Sequence, residues 1–191
     1  MSSAAPKRPR IPYDVQVKVF FRDKWLCRLC GRPTVFAPAF KLIKHFVESK
    51  GHPRPTAYWS FAYRRDASPL LDEMAAVVDH VRAHAEGGPS REDNLATACC
   101  RCNMRKSTED QITFTTRNPK RRIKARYGEP EHWDGFVSLF MVLARDNPDA
   151  LTDSERSWCR SFEKFFAAAA NKQGVEPSNT PLQPAAEKRG G

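Results

Sequence analysis

Two Cys-x-x-Cys pairs, Cys27-Arg28-Leu29-Cys30 and Cys99-Cys100-Arg101-Cys102, constrain this chain more than any other feature. Each pair has the spacing that lets two thiolates grip one ion, and two pairs together fill a tetrahedral zinc. Four thiolates leave no open position for water, so one structural Zn2+ is expected here, held by Cys27, Cys30, Cys99 and Cys102. Joining Cys30 to Cys99 closes a loop of roughly 70 residues, which a small core does not easily pin without a metal. Cys100 lies only two positions from Cys102 and fits a chelating knuckle less well, so Cys99 takes the ligand role. Cys159 falls within an amphipathic pattern and reads as a buried, inert thiol.

Reading the thiols as ligands presumes a reducing compartment. The start, MSSAAPKRPRIP, has no apolar stretch of the kind a signal peptide needs, and no run of about eighteen apolar residues occurs anywhere. The expectation is a soluble, cytoplasmic protein with no membrane partner. Hydrophobic residues make up 40% of the 191, enough for a core. Thirty-two Lys and Arg against 22 Asp and Glu give a net charge of +10, which favours polyanionic partners, nucleic acid first among them. Charge alone orients the search and settles nothing.

The chain divides into a flexible basic arm (1–10), a central module (11–118) with a long insert at about 32–74, a C-terminal helical extension (119–171) and a disordered tail (172–191). Pro12 opens a short helix through Arg22, with Val15, Val19 and Phe20 on its apolar face. Phe36, Phe40, Ile43, Phe46 and Val47 predict a helix near 39–49. The aromatic group Tyr58, Trp59, Phe61 and Tyr63 reads as core, with stacking on bases as the alternative. The β-prone run from Ala75 to Val81 is short, as a strand should be. Gly87-Gly88-Pro89 marks a loop. Leu95 to Ala98 reads as a second strand ending at Cys99, and a helix is expected from 102 to about 115. Asp134 caps a helix that ends at Asn147-Pro148. Thr152-Asp153-Ser154-Glu155 has capping-box spacing and opens another, with Trp158, Phe162, Phe165, Phe166 and Ala169 on one face.

Asp79-His80 is followed by Gly87-Gly88, then Asn94, then the second knuckle with Asn103 directly after it, and Lys106. The run VVDHVRAHAEGGPSREDNLATACCRCNMRKS resembles the HNH endonuclease family, built on the ββα-metal fold. The upstream FRDKWLCRLCG is similar to the segment that supplies the first zinc knuckle in many members. Together they cover about a quarter of the chain. The resemblance implies an α+β architecture: a small ββα-metal nuclease module, stapled by the four-cysteine zinc and flanked by N- and C-terminal helices. It implies His80 as general base, Asn94 as the residue that braces the loop and helps orient the histidine, and Asp79 with Asn103 as ligands of a catalytic cation. Two oxygen donors favour Mg2+ or Mn2+ over zinc there. The implied products carry a 5′-phosphate and a 3′-hydroxyl. In many members proline stands three residues after the histidine; here it is Ala83. The spacer between Cys30 and Asp79 is also longer than in the family's usual pattern.

The chemistry is consistent with those residue types. Imidazole activates water near neutral pH, and a hard cation stabilises charge on a phosphate under attack. Asp79 and His80 are neighbours, so on a regular strand they point to opposite faces; they converge only at a strand end. Arg101, Arg105, Lys106, Arg117, Lys120, Arg121, Arg122, Lys124 and Arg126 form a basic stretch, read as a track for the DNA backbone, with Arg105 and Lys106 nearest the scissile region. His84 shares the loop with His80 and is a candidate contact only. Two other classes stay open: a catalytically inactive, zinc-stabilised DNA-binding module, and a zinc-stabilised interaction protein. A monomer with one site nicks one strand; paired cutting calls for a homodimer or successive events.

Overall fold

The computed structural model describes residues 10–51, 73–117 and 132–173. Arg121 and Arg122, the aromatic group Tyr58 to Tyr63, most of the basic arm and nearly all of the expected tail lie outside the described residues. Within them the chain forms α1 (Tyr13–Arg22), α2 (Ala37–Ser49), β1 (Ala76–His80), β2 (Leu95–Cys99), α3 (Cys100–Lys106), α4 (Gln111–Arg117), α5 (Val137–Asp146) and α6 (Asp153–Gln173). The strands form a two-stranded antiparallel sheet, with Ala76 opposite Cys99 and His80 opposite Leu95. β2 runs straight into α3. A mixed structure with this small sheet and a following helix is the expected ββα arrangement.

A two-stranded sheet is marginal alone, because it has two open edges and little area to bury. Here the outer edge of β2 is covered. The Thr97 backbone N–H donates to Asp23 Oδ2 at 2.7 Å, and the Thr97 carbonyl accepts from Arg28 N at 2.8 Å. Asp23 follows the last turn of α1 and is buried. Arg22 beside it donates to the carbonyls of Glu92 and Leu95. One dipeptide thus docks both the sheet and the loop before β2, and Arg28 brings the first knuckle alongside.

The main core is aromatic. Phe20, Trp25, Phe36, Phe140, Trp158 and Phe162 pack with Val17, Leu42 and Val137, joining α1, α2, α5 and α6. Phe36 is the hub, with rings of Trp25, Phe140, Trp158 and Phe162 at 4.9–6.2 Å, all near edge-to-face. A second, smaller core surrounds the cysteines: Leu29, Ala98 and Phe114 pack on Cys27 and Cys99.

Four sequence expectations shift. In α1 the buried valines are Val17 and Val19, whereas Val15 is half-buried. Phe46 is 41% exposed and not on the buried face of α2. The single helix expected over 102–115 is two: Ser107 adopts φ 52° and ends α3, and Asp110 then accepts from Thr113 N at 2.8 Å to start α4. The last helix runs to Gln173, two residues into the expected tail. The expected caps are present. Asp134 accepts from Phe136 N and Ser138 N, and Glu155 accepts from Thr152 N at 2.6 Å.

Gly135 shows how closely the pieces are fitted. Its φ is +68°, and a Cβ built there would lie 2.3 Å from the Trp25 ring. Its carbonyl also accepts from Phe36 N at 2.7 Å. Gly135→Ala combines left-handed strain with overpacking, and a loss of roughly 2–4 kcal/mol is expected in urea denaturation. An unchanged midpoint would show that the turn into α5 tolerates a side chain against Trp25.

Candidate functional site

The four predicted ligands come together. The sulfurs of Cys27, Cys30, Cys99 and Cys102 lie within 4.8 Å of one another, and no other group of three or more His, Cys, Asp or Glu side chains does so among the described residues. Cys30 Sγ and Cys99 Sγ are 3.9 Å apart. Tetrahedral zinc with Zn–S near 2.3 Å places its sulfurs about 3.8 Å apart, so the cluster fits that ion. Cys99 caps α3 and accepts from Cys102 N at 3.4 Å, the usual knuckle geometry. Cys100 is not part of the cluster and is fully buried.

The four thiols also bias one another's protonation. Cys27 is lowered to about 7, chiefly by the hydrogen bond from Cys102, and Cys30 is lowered by the same partner. Cys99 is pushed up, first by Cys102, and Cys102 is pushed up, first by Cys27. The sulfurs share protons because four adjacent thiolates repel one another; a bound divalent ion removes that constraint. Glu73 ties the two knuckles from outside. It pairs with Arg32 at 3.0 Å and with Arg101 at 2.8 Å. Arg101, expected on a DNA track, therefore already has a carboxylate partner.

Beside the cluster opens a cleft of about 440 Å³, lined by Asp79, His80, His84, Asn103, Met104 and Lys106 together with the small residues Ala83, Ala85, Ser107 and Thr108. Asp79 and His80 both reach it because β1 ends at His80. Asn103 reaches it from α3. A carboxylate, a carboxamide oxygen and an imidazole facing one cleft are a donor set that suits a hard divalent cation at Asp79 and Asn103.

His80 is 1% exposed, and its Nε2 lies 2.9 Å from Ser90 Oγ. Ser90 was not singled out from the sequence. Serine after Gly-Gly-Pro reads as ordinary loop polarity, and only the fold of the loop puts it on the histidine. His84 stacks edge-on at 5.5 Å from His80, ring to ring.

Asn94 lies across the loop from β1. Its Oδ1 accepts from Arg82 N at 2.9 Å, while Nδ2 donates to the carbonyls of Pro89 and Arg82 at 2.9 and 3.2 Å. Its own carbonyl accepts from Val81 N at 2.8 Å. Three side-chain hydrogen bonds and one backbone bond make Asn94 the brace of the loop after His80. Gly88 completes it: a Cβ there would meet the Arg82 carbonyl oxygen at 2.1 Å. Ala83, where a proline is common, adopts φ −56°, the angle a proline ring imposes, so the turn forms without the ring. Asn94→Ala removes three hydrogen bonds to backbone groups of an exposed loop, and a loss of about 1–2 kcal/mol in thermal unfolding is expected. Melting within 1 °C of the parent, taken as roughly the scatter of such scans, would mean the loop does not need the brace.

Arg105 is exposed on α3. Lys106, one residue on, faces inward. It is 1% exposed and pairs with Asp79 Oδ2 at 3.0 Å. On this geometry it is a group at the cleft floor, not one on an outer track.

Residues 67–109 match the model of the HNH endonuclease family. The match spans β1, the braced loop, β2 and α3, and so includes every side chain of the cleft and the second knuckle. No curated protein and no solved structure matches the chain. No helix among the described residues is long and apolar enough to cross a membrane.

Proposed function

We propose that the cleft hydrolyses DNA phosphodiesters in a reaction dependent on a divalent cation, leaving 5′-phosphate and 3′-hydroxyl ends. The observation that carries this reading is the convergence of Asp79, His80 and Asn103 on one cleft inside a segment that matches an endonuclease family. Asp79 and Asn103 would hold Mg2+ or Mn2+. When bound, that ion stabilises negative charge on the phosphate under attack and on the departing 3′-oxygen.

His80 takes a proton from the attacking water. The Ser90 hydroxyl, 2.9 Å from Nε2, fixes the plane of the ring. Asn94 holds the loop that carries Ser90 and Pro89, so its effect on the histidine is indirect. Arg105, Arg121 and Arg122 contact backbone phosphates, and Arg101 does so if it leaves Glu73. These contacts make binding weaken steeply with salt. A single module of this kind nicks one strand; cutting both takes two copies or two events.

One observation favours the inactive DNA-binding module instead. Asp79, the first ligand of the cation, is already neutralised by a buried lysine. End chemistry separates the two readings. Supercoiled plasmid incubated with zinc-loaded protein and Mg2+ becomes an open circle, which a DNA ligase specific for 5′-phosphate and 3′-hydroxyl reseals. Retarded plasmid that is never nicked would point to the binding module, and nicks that resist sealing would overturn the proposed direction of cleavage. Ser90→Ala is expected to lower kcat roughly tenfold with KM little changed, since it removes only the group that orients the base. An equal loss in KM and none in kcat would place Ser90 in DNA binding.

A further inference from the structure

An ammonium is strongly hydrated, so a lysine buried to 1% exposure needs a charged partner to stay ionised. Lys106 has one. Its Nζ lies 3.0 Å from Asp79 Oδ2 and 3.4 Å from Oδ1, at the carboxylate read above as a metal ligand. Asp79 is itself 9% exposed, so little water screens the pair. Lys106 comes from the last turn of α3, one turn beyond Asn103, and both residues line the same cleft. The ammonium thus sits where a divalent cation on Asp79 and Asn103 would have to approach. Two cations within a few ångströms of one another in a poorly hydrated site repel strongly.

We propose that Lys106 is a placeholder cation, holding the Asp79 carboxylate until a divalent ion displaces it and then offering its ammonium to a phosphate in the same cleft. This rests on the reading of Asp79 as a ligand. It explains why a lysine on an otherwise basic, DNA-facing helix is turned inward. It also gives the free protein a low metal affinity that rises when a phosphate is present to receive the lysine. Metal and DNA then favour each other's binding, as linkage requires.

The test uses the full chain, zinc-loaded and without DNA, titrated with Mn2+ while free ion is followed by electron paramagnetic resonance. Lys106→Met keeps the length of the stem and removes the charge; it is expected to bind Mn2+ at least about tenfold more tightly than the parent. Lys106→Gln, which retains a donor to Asp79, changes affinity in the same direction. Asp79→Ala loses the site. In the unmutated protein, Mg2+ shifts the 15N resonance of the Lys106 ammonium, a readout that needs no variant. Equal or weaker Mn2+ binding in both lysine variants, or an ammonium signal unmoved by saturating Mg2+, overturns the proposal. If Asp79→Ala binds Mn2+ like the parent, the ligand assignment fails and the placeholder with it. If Asp79→Ala abolishes binding while neither lysine variant gains, the placeholder alone fails.

Discussion

Removing zinc is expected to collapse the two-stranded sheet and its cysteine knuckles while leaving much of the helical core in place. The sheet has only two strands, and Leu29, Ala98 and Phe114 pack directly on the cysteines. Structural zinc sites contribute about 10–16 kcal/mol in small metal-dependent domains, comparable to the whole stability of an ordinary one. The aromatic core of α1, α2, α5 and α6 contains no cysteine of the cluster, so it has its own reason to persist. Amide exchange measured by mass spectrometry should therefore show Leu95–Cys99 and the knuckles losing protection on treatment with a strong chelator. Exchange in α5 and α6 should change much less. Cys27→Ser should behave the same way without chelator. Acid should also release the metal, because protons compete with it for the four thiolates. Unchanged exchange in a protein shown to contain no zinc would mean that the cluster does not hold the sheet.

His80→Ala should lower kcat by about 10²–10⁴, the usual contribution of a positioned general base, with DNA affinity close to the parent's. The ring is buried and touches Ser90 and His84, not an outer surface, so its removal does not strip a phosphate contact. Truncation leaves a small cavity beside β1, and some loss of thermal stability accompanies it. Gel-shift binding and single-turnover cleavage on the same preparation separate these effects. A variant that cuts at the parental rate would remove His80 from the chemistry.

The parts of the site legible in the sequence are those encoded by local spacing. Cys-x-x-Cys, the Asp79-His80 pair at a strand end and Asn103 directly after the knuckle depend on a few consecutive residues; the four sulfurs lie together, and Asp79, His80 and Asn103 line one cleft. Asn94 was also legible, and its bonds to Arg82 and Pro89 give the brace a physical form. What the sequence did not reveal depends on which way a side chain turns after long-range packing. Lys106 looks like any other cation in a basic run until α3 stops at Ser107 and turns it toward Asp79. Ser90 meets His80 only because Asn94 and Gly88 fold the loop back. Asp23 and Glu73 carry no motif, yet one covers the edge of β2 and the other bridges the two knuckles. Val17 in place of Val15 is a matter of helix phase: the buried stripe of α1 is set by what α6 presents to it.

The measurement that bears most directly on the proposed chemistry is conversion of supercoiled plasmid by zinc-loaded protein in Mg2+ or Mn2+, against EDTA kept below the level that strips the structural zinc, with Asp79→Ala and His80→Ala prepared alongside. Open-circular or linear product that needs the added metal and is lost in both variants is the expected result. Salt-sensitive DNA binding without cleavage under any metal, or cleavage that survives in both variants, would contradict it.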